Sequence, residues 1–121
     1  MIKLVQSNKL PTLLGPGDGR TKILIDSQNG AENLSLVFIR FPVGGKTDPH
    51  TREVEECVYV IKGRTAVVTG DDRVEFGKGD AILIPAGTEH HHENIGTADL
   101  EQIVIFAPQG PEAGLRDLPT E

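Results

Sequence analysis

Apolar residues fall in short runs along this chain, and turn-forming residues separate the runs. Leu34 to Phe41, Cys57 to Ile61, Ala66 to Thr69, Ala81 to Ile84 and Leu100 to Phe106 are each of strand length. Several are rich in valine, isoleucine and phenylalanine, which suit a pleated, packed surface. Between them stand Gly15 to Gly19, Asn29-Gly30, Gly44-Gly45, Lys62-Gly63, Gly70 to Asp72, Gly77 to Asp80, Pro85 to Gly87 and Ile95-Gly96. Such clusters end strands and start turns. No stretch holds a 3.6-residue apolar period between helix caps, so the pattern predicts an all-β chain.

Leu34 to Phe41 is apolar on both alternating faces. One face is expected to line the core. The other needs cover, either from a second sheet of the same subunit or from a partner, which makes a homodimer an expectation. The segment 108–121, rich in proline, glycine and charge, is expected to wrap the surface or fray.

At 121 residues the chain has the length of one domain, 1–121, with material for one sizeable core. A net charge of −6 without any lysine or arginine cluster speaks against nucleic acid as a partner. No apolar run near the start is long enough for a signal segment or a membrane span, and the single Cys57 cannot form an internal disulfide. A cytoplasmic location and no membrane partner are the resulting expectations.

Two segments carry the chemistry, 44–63 and 79–94. Side chains two apart on a strand share a face, so His50, Arg52 and Glu56 share one parity, continued by Val58 and Val60. In the second segment His90, His92 and Asn94 share one face, and Glu89, His91 and Glu93 the other, polar one. Alternate strand positions lie about 7 Å apart, near enough for two imidazoles to lean toward one ion. Imidazole with carboxylate suits zinc, iron, nickel, manganese or copper, and not a calcium cage. Cys57 takes the face opposite Glu56 and is expected to be a buried structural thiol, and Tyr59 to pack at an edge.

These segments resemble the two signature motifs of the cupin superfamily. The first motif reads G-x5-H-x-H-x3-E-x6-G and is met by Gly44, His50, Glu56 and Gly63; the second, G-x5-P-x-G-x2-H-x3-N, is met by Gly79, Pro85, Gly87, His90 and Asn94. Nine of ten motif positions match, across a stretch of 51 residues. The resemblance implies a double-stranded β-helix, a jelly-roll-like antiparallel barrel. It also implies a divalent transition metal in the barrel, with His50, Glu56 and His90 as ligands carried over by position.

The departure is Arg52, which stands where the family has its second histidine. A guanidinium has no lone pair to give a metal. His92, on the inner face, is the candidate to take that place, so the expected set is His50, Glu56, His90 and His92. Arg52 then has two other roles open to it besides a surface position: gripping a substrate carboxylate, or pairing with Glu56 in a metal-free binding or sensing domain. The expected function is binding of, or action on, a small anionic molecule that is a carboxylate, keto or sugar-like compound. Arg52 would orient it, and Glu56 could move protons. Enzyme and binder both stay open; as an enzyme the chain would be of a metal-dependent dioxygenase, decarboxylase or isomerase type.

Overall fold

Alternation becomes burial most clearly in the last strand, where every second side chain from Leu100 is buried and those between are half-buried. The computed structural model describes residues 2–121, and among these it has nine strands. They are β1 (Leu13–Leu14), β2 (Arg20–Ile25), β3 (Ser35–Phe41), β4 (Glu55–Lys62), β5 (Arg64–Thr69), β6 (Asp72–Gly77), β7 (Ala81–Ile84), β8 (His91–Asn94) and β9 (Leu100–Ala107). One sheet has the order β1-β2-β3-β9-β4-β7 and the other β6-β5-β8, and all the pairings are antiparallel. This is the all-β class that the pattern predicts, in the jelly-roll-like arrangement that the resemblance implies.

The inner faces meet in one apolar core. Val37, Ile39 and Phe41 of β3, Val58 and Val60 of β4, and Val104 and Phe106 of β9 face Val67 of β5 and Phe76 of β6. Burial of side chains of this size is the main stabilising term, worth about 1.5–3 kcal/mol each before the entropy cost of ordering them.

An irregular segment extends the smaller sheet beside β8. His50 and His90 bond each other's carbonyls through their N–H groups (2.8 and 2.9 Å), Thr47 donates its N–H to the His92 carbonyl (3.0 Å), and Asn94 donates to Gly45 (2.8 Å). Gly17 holds this segment in place from outside. Its φ is +56°, and a Cβ there would strike the Lys46 carbonyl and come within 2.9 Å of the Thr47 Cα. Asn94, the motif asparagine, is a structural tie: its amide donates to the carbonyls of Phe41, Pro42 and Ala98 and accepts from the Gly96 N–H.

The segment 108–121 wraps and does not fray. It forms the short helix α1 (Pro111–Leu115), buries Leu115 in the core, and buries Glu112 against the Ser35 hydroxyl and the Gly110 N–H. Arg116 then donates twice to the buried Asp26 carboxylate. A helix of five residues is too short for a 3.6-residue period to register in sequence, so the purely strand-based reading passed over it.

The outer face of the larger sheet carries no second layer among the described residues. Leu34 is 44% exposed, Tyr59 47% and Leu83 58%. Of the two covers expected for the Leu34 to Phe41 strand, a second sheet of the same subunit is therefore absent on that side. No helix among the described residues is long and apolar enough to cross a membrane.

Candidate metal centre

Four side chains from three parts of the chain converge between the sheets. His50 comes from the irregular segment, Glu56 is the second residue of β4, His90 immediately precedes β8 and His92 is the second residue of β8. One donor atom from each lies within 4.8 Å of every other. The ring centroids of His50 and His90 are 4.4 Å apart, those of His90 and His92 5.1 Å, and those of His50 and His92 5.8 Å. Glu56, His90 and His92 are buried and His50 is partly so.

Local backbone fixes which nitrogen each ring offers. His50 Nδ1 lies 2.9 Å from the Asp48 carbonyl and His90 Nδ1 lies 2.8 Å from the Thr88 carbonyl. A carbonyl only accepts, so each Nδ1 carries the proton and, in the neutral ring, Nε2 keeps the lone pair. That is the orientation of a histidine whose second nitrogen serves as a ligand. His90 Nε2 is buried with no hydrogen-bond partner. It sits 3.7 Å from Glu56 Oε1, while His92 Nε2 is 3.2 Å from Glu56 Oε2. An orphaned buried imidazole nitrogen beside a carboxylate and two more imidazoles is a donor set that fits a borderline divalent ion.

Electrostatics in the metal-free cluster follow from the same contacts. Burial pulls the His50 ring from its ordinary 6.5 down to about 4, with the positive neighbours His90, Arg52 and His92 adding to this against the Asp48 carbonyl. Burial would raise the Glu56 carboxyl, but contacts from His90 and His92 outweigh it and hold the group well below the usual carboxylate range. Burial would lower His90, yet Glu56 and the Thr88 carbonyl raise it.

A pH dependence follows. His50 is depressed on folding, so its contribution to stability is complete above about pH 6.5 and is lost as pH falls toward 4. The depressed Glu56 acts in the same sense at still lower pH. His90, raised on folding, contributes in the opposite sense, with stability present below 6.5 and lost as pH rises through its raised value. The thermal midpoint of metal-free protein is therefore expected to drop between pH 6.5 and 4, with a smaller drop in His50→Gln. Equal pH profiles for the two proteins would contradict this.

Arg52 does not pair with Glu56. Both carboxylate oxygens face histidines, and no Arg52–Glu56 ion pair exists among the described residues. The shared parity assumed a continuous strand from 50 to 56, whereas β4 begins at Glu55 and Arg52 lies in the irregular stretch before it. There the guanidinium carbon sits 5.8 Å from the centroid of the Phe106 ring, and the buried Nε has no partner. His91 and Glu93 point outward, 3.0 Å apart, and Cys57 is half-buried on the outer face, less covered than expected.

The cluster opens on a small cavity of about 20 Å³ lined by His50, Arg52, Glu56, His92, Gln102 and Phe106 among others. Sequence reading missed two of its residues. Gln102 is 1% exposed, and its signal was a lone polar residue on the otherwise apolar inner face of its strand. Thr47 accepts the His92 N–H on its hydroxyl (3.0 Å) and so fixes where β8 starts.

Comparison with known proteins agrees with this picture. Residues 37–106 match the family model described as the cupin domain. An uncharacterised protein of Methanocaldococcus jannaschii is 41% identical over 75 residues, covering 61% of this chain and 60% of that protein. A gentisate 1,2-dioxygenase of a Haloferax species is 38% identical over 87 residues, covering 70% of this chain and only 24% of the dioxygenase. Among solved structures, the polyketide cyclase RemF from Streptomyces resistomycificus superposes with a TM-score of 0.80 at 28% identity, covering 92% of this chain and 82% of that one. KdgF from Halomonas also gives 0.80, at 20% identity over 93% of this chain and 99% of that one, a likeness of fold alone.

Proposed function

The chain belongs to the cupin family, and from that premise we propose that His50, Glu56, His90 and His92 hold one divalent transition metal while Arg52 orients a small anionic molecule beside it. The observation that carries this is the convergence of four donors with His50 and His90 pre-set to offer Nε2. Zinc, iron, nickel, manganese and copper all suit three imidazoles and a carboxylate. Such an ion supplies Lewis acidity toward a carbonyl or carboxylate oxygen.

The chain's own groups do the rest. Asp48 and Thr88 hold two imidazoles in orientation through their carbonyls. Glu56 stays ionised and keeps negative charge against the ring nitrogens. Phe106, Val104 and Ile39 wall the cavity and limit water. Arg52 lines the same space, and its buried Nε–H has no partner. A carboxylate, keto or sugar-like ligand fits that arrangement. The relatives, one named a dioxygenase and one a polyketide cyclase, differ in chemistry on a shared scaffold. Dioxygenase, decarboxylase and isomerase chemistry all remain compatible with the donor set.

Elemental analysis of protein purified without added metal tests the first half, and one equivalent per chain is expected. Traces only, with no uptake on reconstitution, would refute it. For the second half, Arg52→Gln should keep the metal and bind a simple carboxylate such as acetate about tenfold more weakly, the loss of one charge-assisted hydrogen bond. Unchanged acetate affinity would remove Arg52 from ligand binding.

The reading extends to a homodimer through the outer face of the larger sheet. Leu83, Cys57, Ile105 and Leu36 lie in one cross-strand row there, with Ala81, Tyr59, Ile103 and Phe38 in the next. A second copy laid on these rows would make a self-complementary two-fold contact. Leu83→Glu is expected to shift the sedimenting species from dimer to monomer with the fold kept. A wild-type monomer at micromolar concentration would end this part of the proposal.

A further inference from the structure

β9 presents Leu100, Gln102, Val104 and Phe106 to the interior, and only Gln102 is polar. Its amide oxygen is buried and has no hydrogen-bond partner. Placing an amide in such a setting without a partner is costly, and an apolar side chain would serve packing better. Arg52 Nε is in the mirror-image condition, a buried donor with nothing to donate to. Both residues line the one small cavity, yet they do not satisfy each other. An orphaned donor and an orphaned acceptor beside a candidate metal centre describe the polar pattern of what fits between them.

Size adds a second constraint. A cavity of about 20 Å³ takes roughly one water-sized group. Arg52 is also part of the wall of a larger pocket of about 380 Å³, formed with Glu53, Val54, Gln109 and Pro111 among others. Gln109 Oε1 is a second buried oxygen without a partner. The residue common to both spaces is Arg52.

We propose that Gln102 is a specificity-determining residue that recognises a hydroxyl next to the carboxylate engaged by Arg52, so that the ligand class is the small hydroxy-carboxylates, with the body of the ligand in the pocket beyond Arg52. This rests on the reading of the cavity as the ligand site of the metal centre. A hydroxyl suits either orientation of the amide, as donor to Oε1 or as acceptor from Nε2. An unsubstituted acid offers the amide neither a donor nor an acceptor at that position and leaves Oε1 orphaned. Gln102 thus serves binding at some expense of stability.

The test compares lactate with propionate, which differ by that one hydroxyl, by calorimetric titration of zinc-loaded wild type, Gln102→Met and Gln102→Leu. Wild type is expected to bind lactate about tenfold more tightly than propionate, the effect of one hydrogen bond. Both variants should bind the two acids alike and at wild-type zinc content. Their thermal midpoints in the metal-free state should be no lower than wild type, because the orphaned acceptor is gone; a merely structural glutamine would give a lower midpoint. Equal binding of the two acids by wild type, or an undiminished lactate preference in a variant that keeps its zinc, would overturn the assignment. Failure to take up zinc counts against the metal centre alone. The same pair of acids on metal-free protein then still decides the role of Gln102.

Discussion

His90→Ala is expected to lower zinc affinity by more than about 100-fold while leaving the β fold intact. Losing an outer partner of a ligand already costs about 10–100-fold, and His90 is placed to contact the ion directly. It is 2% exposed, bridges to His50 through the backbone, and has its Nδ1 committed to the Thr88 carbonyl. Truncation removes an imidazole whose buried Nε2 has no hydrogen-bond partner. Fold retention is expected because the backbone pairing of His50 with residue 90 needs no side chain, and Glu56 keeps His92 as its contact. Competition against a chelator gives the affinity, and far-ultraviolet circular dichroism reports the fold. A variant that binds zinc as tightly as wild type would show that residue 90 is not a ligand.

The second large effect is on stability. Phe106→Ala should destabilise the protein by about 3–5 kcal/mol, the usual range for deleting a buried aromatic ring. Phe106 is 2% exposed and sits on β9 between Ser35 of β3 and Glu56 of β4. Its ring both fills the core and lies beneath the Arg52 guanidinium. The truncation therefore enlarges the cavity next to the cluster and removes the surface on which Arg52 rests. Urea unfolding at neutral pH measures the loss, and Phe106→Leu, which keeps most of the volume, should cost clearly less. A loss under about 1 kcal/mol for the alanine variant would mean that the surroundings collapse into the space and that the cavity is not rigid.

Strands with a buried and a half-buried face were readable from sequence because their apolar content survives on both parities. Ala81–Ile84 has the bounds that the pattern predicts, and the predicted Leu100 to Phe106 differs by one residue. β6 escaped notice for the opposite reason. It is an edge strand whose first four residues are all exposed, and only Val74 and Phe76 mark an apolar face between two turn clusters. β2 does alternate, but it follows directly on the glycine-rich turn at 15–19 and was not separated from it.

At the site, inner and outer positions within β8 follow from parity alone: His92 is buried and His91 is not. His50 and Glu56 come together for a reason that parity does not contain. One is bridged to His90 in the smaller sheet and the other opens β4 in the larger, so the two meet across the barrel and not along a strand. The same irregular stretch sent Arg52 onto Phe106 and away from Glu56. Such details depend on loop geometry and on which sheet a residue joins, and a one-dimensional pattern carries neither.

Anomalous scattering at the absorption edge of the metal found in purified protein, collected on its crystals, tests the centre most directly. With the proposed ligands, one strong peak per chain falls among the side chains of His50, Glu56, His90 and His92. No peak there after reconstitution with zinc, or a peak held by other residues, would contradict the proposed centre.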